Sequence, residues 1–237
     1  VNYGLNAGLC VIINEHWDGG WMEHDAFTSG VNVAEHKEMF RKLWTNIAKE
    51  FKTYDQRVLF AALNEPGVGG ASPQVQGDML APDSKEFADR LLAYEQVFID
   101  AVRSTGGNNA SRVLIVQTPK TEIDLAAKDS YDITRLKDKA KNCLMAEVHF
   151  YDPYIFTLMD KDADWGKVAL YWKGHAPAEM MKAGLIPYVW DINVQPLPHM
   201  TIFDRKKQVV SDSYIFKGVM QGAAEGMDDY RKIYPKP

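Results

Sequence analysis

The chain of 237 residues has room for one large domain or two small ones. Its 46% apolar and 25% charged residues exclude a disordered chain, and a net charge of −5 argues against a nucleic-acid binder. No apolar run approaches the ~18 residues that a membrane span requires. Two cysteines, Cys10 and Cys143, are too few for a disulfide framework and are expected as buried small hydrophobes.

Val1-Asn2-Tyr3-Gly4 shows neither a basic nor an apolar leader pattern, so no signal peptide is expected, and the opening reads as that of a processed protein or a fragment. A buried-strand run follows, Leu9 to Asn14, and leads into a loop with Asp18-Gly19-Gly20-Trp21. From about Ala34 to Phe51 the apolar residues Phe40, Leu43, Trp44, Ile47, Ala48 and Phe51 fall at helical spacing, which places Trp44 in the core. Val58 to Leu63 reads as a second strand, and a Gly-rich loop from Gly67 to Pro82 comes after it.

Ser84 is a good N-cap for a second helix whose stripe is Phe87, Leu91, Tyr94, Phe98 and Ala101, stopped at Gly106-Gly107. Arg112 to Gln117 is a third strand, a polar helical stretch is expected within 121–142, and Cys143 to Phe150 is a fourth strand. A short helix near 178–183, a fifth strand over 186–192 and a last helix over about 212–224 complete the order. Asn109-Ala110-Ser111 fits the glycosylation sequon, a pattern short enough to arise by chance.

Strands apolar on both faces, alternating with amphipathic helices, indicate βαβ units and a parallel sheet. No Gly-rich phosphate turn joins a strand to a helix, which disfavours a dinucleotide-binding fold. Polar residues gather instead past the strands' C-terminal ends: Asn14, His16 and Asp18, then Asn64 and Glu65, then His149 and Tyr151, then Trp190. A βα barrel builds its active site in this way, so the expected fold is α/β, an incomplete (β/α)8 TIM-like barrel with about five parallel strands, and 1–237 is one domain.

A carboxyl at such a mouth, Glu65, suits general acid work, and Asn64 could orient a substrate hydroxyl. Glu147, His149 and Tyr151 alternate along one strand and share a face, with Glu147 one layer deeper. Glu15 and Asp191 should turn away from the site by the same alternation, while Glu23 and Glu179 fall on loops or short helices that the pattern does not place. The segment His16 to His24 is dense in ligand-type residues but has no helical His pair and no Cys pair, so it is not read as a metal site. Its Trp17 and Trp21 either cover the barrel's top or offer a flat face to a sugar ring.

The stretches VIINEHWDGGW (11–21), LFAALNEPG (59–67), FIDAVRSTGGNNASRVLIVQTP (98–119), MAEVHFYDPYIFTLMDKDADWGKV (145–168) and IPYVWDIN with IFDRK downstream (186–206) resemble the cellulases of glycoside hydrolase family 5, bacterial endoglucanases in particular. The resemblance implies a βα barrel that cleaves β-1,4-glucan with retention, using two glutamates and no cofactor, and a secreted or cell-surface bacterial location. It implies Glu65 as acid/base, Asn64 at the sugar 2-hydroxyl, His16 as the third-strand histidine, His149 and Tyr151 beside the nucleophile and sugar, and Trp190 as a stacking platform. Relative to the family, two strands and a helix are missing in front. Between Trp172 and Leu185 the chain has only KGHAPAEMMKAG, where the family carries its seventh strand and nucleophile. The alternative to an enzyme is therefore a β-glucan-binding remnant. Sheet edges left open by missing strands are expected to be covered by another copy of the chain.

Overall fold

Asn32 and Ser84 start the two long helices by the same device. Each side-chain oxygen accepts a backbone N–H three residues on, from Glu35 at 3.3 Å and Phe87 at 3.1 Å, which satisfies a donor that the first turn leaves open. The helices are α2, Val33–Glu50, and α3, Lys85–Ser104, preceded by the short α1, Asn2–Asn6, which has no apolar period to announce it. This computed structural model describes residues 1–68, 75–151, 159, 162–167, 203–204, 207–210, 217 and 220. The chain divides into two compact units, Val1–Phe150 and Tyr151–Pro237.

In the first unit four strands form one parallel sheet: β1 (Val11–Asn14), β2 (Val58–Ala61), β3 (Leu114–Glu122) and β4 (Leu144–His149). Val11 lies opposite Val58, Phe60 opposite Leu114, and Leu114 opposite Leu144. The order in space, β1-β2-β3-β4, is the order in sequence. A doubly wound sheet reverses its order at a switch point, whereas a barrel does not, so this is the winding of an incomplete βα barrel.

The helical stripes pack on the sheet through aromatic rings. Trp44 of α2 meets Phe98 of α3 at 4.5 Å between ring centroids, and Phe27 stacks on Phe87 at 4.4 Å. Trp44, Phe40, Tyr94, Phe60, Phe87 and Phe98 are all wholly buried. At the opposite end of the strands from the candidate site, buried Arg112 donates to the carbonyls of Phe51, Tyr54, Asp55 and Val58 and to Asn109 Oδ1. One guanidinium thereby fastens the turn between α2 and β2 to the start of β3.

Two expectations need correction. The stretch 121–142 forms only α4, Ile123–Ala126, and a 3-10 turn at Ile133–Arg135. Tyr131, Ile133 and Leu136 reach the core at spacings of two and three residues, which no single helix face accommodates, and Asp132 binds the backbone N–H of Thr134, favouring the turn. Cys10 is exposed and Cys143 half-buried, because each precedes its strand instead of lying inside one. The sequon residue Asn109 is fully buried, with its amide donating to Ala48 O at 2.6 Å and Thr105 Oγ1 at 2.8 Å.

In the second unit, Ala163 and Gly166 form an antiparallel bridge, and β5 (Phe203–Asp204) pairs antiparallel with β6 (Val209–Val210). Lys217 and Met220 are helical, within the expected last helix. The expected helix near 178–183, the strand over 186–192, and Trp190, Asp191 and Glu179 lie outside the described residues.

Candidate active site

Past Ala61 the chain of β2 keeps bonding to its neighbours for two more residues. Ala62 N–H donates to Ile115 O at 2.9 Å, and Leu63 N–H donates to the Gln117 side chain at 2.9 Å. The Trp44 indole donates to Ala62 O at 3.2 Å, so α2 also holds this strand end. Pro66 supplies no N–H and turns the chain away, which leaves Asn64 and Glu65 at the mouth.

Glu65 and His149 keep 23% and 21% of their side-chain surface exposed, so both are open to a ligand yet largely removed from water. His149 Nδ1 lies 2.7 Å from Glu65 Oε1, and its Nε2 lies 3.1 Å from Glu147 Oε1. Two carboxyl groups therefore flank one ring, an arrangement that favours its protonated form. Burial opposes that charge, but the bonds to Glu147 and Glu65 outweigh it and raise the His149 pKa to about 9. Glu147 Oε2 accepts from Gln117 Nε2 at 2.8 Å. Glu147, expected one layer below His149, is thus joined directly to it.

Asn64 is oriented from the other side. Its Nδ2 donates to Glu23 Oε1 at 2.9 Å, and the same oxygen accepts from the Trp17 backbone N–H at 2.9 Å. Buried Glu23 therefore ties the end of β2 to the loop after β1. The amide keeps its carbonyl and a second hydrogen for a ligand.

His16 is exposed, and Asn14 Nδ2 lies 3.2 Å from its Nδ1. Trp17 is 40% exposed and sits at φ 61°, followed by Asp18 at φ 42°. Two consecutive non-glycine residues in the left-handed region store backbone strain of the kind held at functional loops. Gly20, at φ 81°, allows this turn, since any side chain there would be strained in the left-handed region. Trp21 packs beside His36 and Phe40 of α2, at ring distances of 6.0 and 6.2 Å, so its ring serves the core. Glu15 is buried while its neighbours Asn14 and His16 are exposed, the alternation expected of it. Burial, then the charges of Glu23 and Asp18, raise the Glu15 pKa to about 8.

Asn64, Glu65 and His149 are brought together at the ends of β2 and β4, and His16 and Trp17 follow β1. Tyr151 opens the second unit and is half-buried. Two residues of the site escaped the sequence reading as partners, Gln117 and Glu23. A signal existed for Gln117, a lone amide in the apolar strand Leu-Ile-Val-Gln, because a buried polar group must find a partner.

The sequence model of the cellulase family, glycosyl hydrolase family 5, matches residues 1–185. A xyloglucan-specific endo-β-1,4-glucanase of Bacteroides ovatus is 38% identical over 173 residues, 70% of this chain and 31% of that protein. Endoglucanase A of Paenibacillus barcinonensis is 30% identical over 185 residues, 71% of this chain and 43% of that protein. The chain thus spans less than half the length of these curated relatives. A family 5 lichenase structure from Caldicellulosiruptor sp. superposes with a TM-score of 0.74 at 24% identity, covering 94% of this chain and 72% of that one, which establishes a shared fold.

Proposed function

This chain belongs to glycosyl hydrolase family 5, the cellulase family, and from that premise we propose that it hydrolyses β-1,4-glucosidic bonds of cellulose or related β-glucans, with Glu65 as general acid/base. The observation that carries the reading is the half-buried Glu65 at a strand end, held in place by His149 at 2.7 Å. The printed activities of the two relatives, on xyloglucan and as an endoglucanase, point to a glucan backbone as substrate. Secretion or display at a bacterial surface belongs to the same reading.

With Oε1 bonded to His149, Glu65 in its protonated form gives the proton on its other oxygen to the glycosidic oxygen as the bond to the anomeric carbon breaks; water's oxygen ends bonded to that carbon, and the proton it releases returns to Glu65. His149 is a charged strut that limits how the carboxyl group turns. Asn64, held by Glu23, offers its amide to the sugar hydroxyl beside the reacting carbon, and Trp17 with His16 lines the approach. Tyr151 and Trp190 are assigned to substrate through the family pattern alone. Glu147 is not the second carboxylate of the reaction. Its two oxygens are committed to His149 and Gln117, and the imidazole stands between it and Glu65.

Reducing-sugar release from carboxymethylcellulose and xyloglucan tests the proposal. Glu65→Gln is expected to lower the rate about 10²–10⁴-fold. Equal rates for the two proteins would remove Glu65 from the mechanism. Cello-oligosaccharide binding without product from the unmodified chain would replace hydrolysis by sugar binding, the role that the missing nucleophile segment favours.

A further inference from the structure

Gln117 is wholly buried in β3, and each of its polar groups is engaged. The side-chain oxygen accepts from Leu63 N–H at 2.9 Å and the side-chain nitrogen donates to Glu147 at 2.8 Å. Its backbone N–H donates to Glu95 Oε1 at 2.8 Å, and its carbonyl accepts from the Tyr131 hydroxyl at 3.2 Å. Glu95 is itself buried in α3, where desolvation pushes its pKa well above the ordinary carboxylate value. With both ends of its side-chain amide bonded and its backbone N–H and C=O engaged as well, Gln117 is fixed in orientation.

The bonds close a circuit. Leu63 binds Gln117, Gln117 binds Glu147, Glu147 binds His149, and His149 binds Glu65, which lies two residues after Leu63. Three strands are joined through side chains at the point where their backbone pairing ends. We infer that Gln117 and Glu147 are positioning residues for Glu65: Gln117 fixes the Glu147 carboxylate, and Glu147 fixes the His149 ring to which Glu65 is bonded. The effect on turnover rests on the assignment of Glu65 as acid/base, whereas the circuit itself does not.

In the first unit, the charged groups facing His149 are Glu65 at the end of β2, Glu147 on its own strand, and the Lys120–Glu122 ion pair of β3, where Glu122 lies opposite His149 in register. Lys120 and Glu122 bind each other at 2.7 Å, while Glu147 and Glu65 are bonded to the ring itself. Glu147 keeps 32% of its side-chain surface exposed, so without Gln117 it can swing toward solvent and leave His149 for part of the time.

The test follows the His149 ring by NMR across pH, with its signals assigned through their loss in His149→Asn. Glu147→Gln is expected to lower the His149 midpoint by about one to three units, the effect of removing an adjacent opposite charge. Gln117→Met, close in volume, is expected to lower it by a smaller amount in the same direction. Both are expected to lower kcat about tenfold or more with KM unchanged, because orientation of the acid matters in the transition state. A merely structural role would lower Tm while leaving the His149 midpoint and kcat in place, and a folded variant of either kind with an unmoved midpoint overturns the inference. Should Gln117→Met fail to fold, Glu147→Gln at its half-exposed position still decides. Should the unmodified chain release no sugar, the acid/base assignment falls, and the titration still judges the circuit.

Discussion

His149 and Glu15 both hold protons in the folded chain at pH values where a solvated group would have released them. Glu15 is raised from 4.5 to about 8 by burial, then by Glu23 and Asp18. His149 is raised from 6.5 to about 9, against its burial, by Glu147 and Glu65. In each case the folded state binds more protons than the unfolded state between the two values, so stability falls as pH rises through that window. The contribution of His149 is fully present below 6.5 and lost as pH passes through about 9. Glu15 adds its own decline between 4.5 and about 8. Thermal unfolding should therefore give a Tm that drops from pH 5 to pH 9. Glu15→Gln removes one titrating group without changing its shape, and should raise Tm by a few degrees at pH 8 while leaving it nearly unchanged at pH 4.5. A Tm profile parallel to that of the unmodified chain would contradict the assignment of Glu15 as a buried, unpaired acid.

Helix α2 reaches the site through Trp44, whose ring fills the core and whose N–H holds the carbonyl of Ala62 three residues before Glu65. Trp44→Phe keeps much of the packing and leaves that buried carbonyl without its donor, at a cost of about 1–3 kcal/mol. A domain of this size should lose about 2–4 °C of Tm per kcal/mol, and an unaltered Tm would show that the bond contributes nothing. The two long helices, the four strands and their parallel order were legible in the sequence, because Phe40, Trp44, Phe87 and Phe98 repeat at helical spacing and the strands are short apolar runs. The caps at Asn32 and Ser84 follow from local chemistry in the same way. The stretch 121–142 was not legible, since Asp132 settles its backbone by a side-chain bond that no periodicity reveals. At the site, alternation along β4 put Glu147 and His149 on one face. The bridge from Gln117 to Glu147 needs the sheet register, and Glu23 reaches Asn64 across 41 residues of chain, so neither could be read from spacing.

At the scale of the whole chain, β1 pairs with β2 alone among the described residues, and Leu9 and Tyr3 beside it are 59% and 94% exposed. A strand edge without a partner among the described residues, flanked by exposed apolar side chains, invites another strand. The proposal that a second copy covers it predicts a dimer or larger species by light scattering at micromolar concentration, and a stable monomer would refute it. A different consequence attaches to the buried Asn109. A eukaryotic secretory host that reads Asn109-Ala110-Ser111 would attach an oligosaccharide while the chain is still emerging. That bulk could not enter the packed niche where the amide serves Ala48, Thr105 and Arg112. Secretion from yeast is thus expected to trap modified molecules short of their final shape, whereas a compartment without that glycosylation machinery leaves Asn109 able to pack.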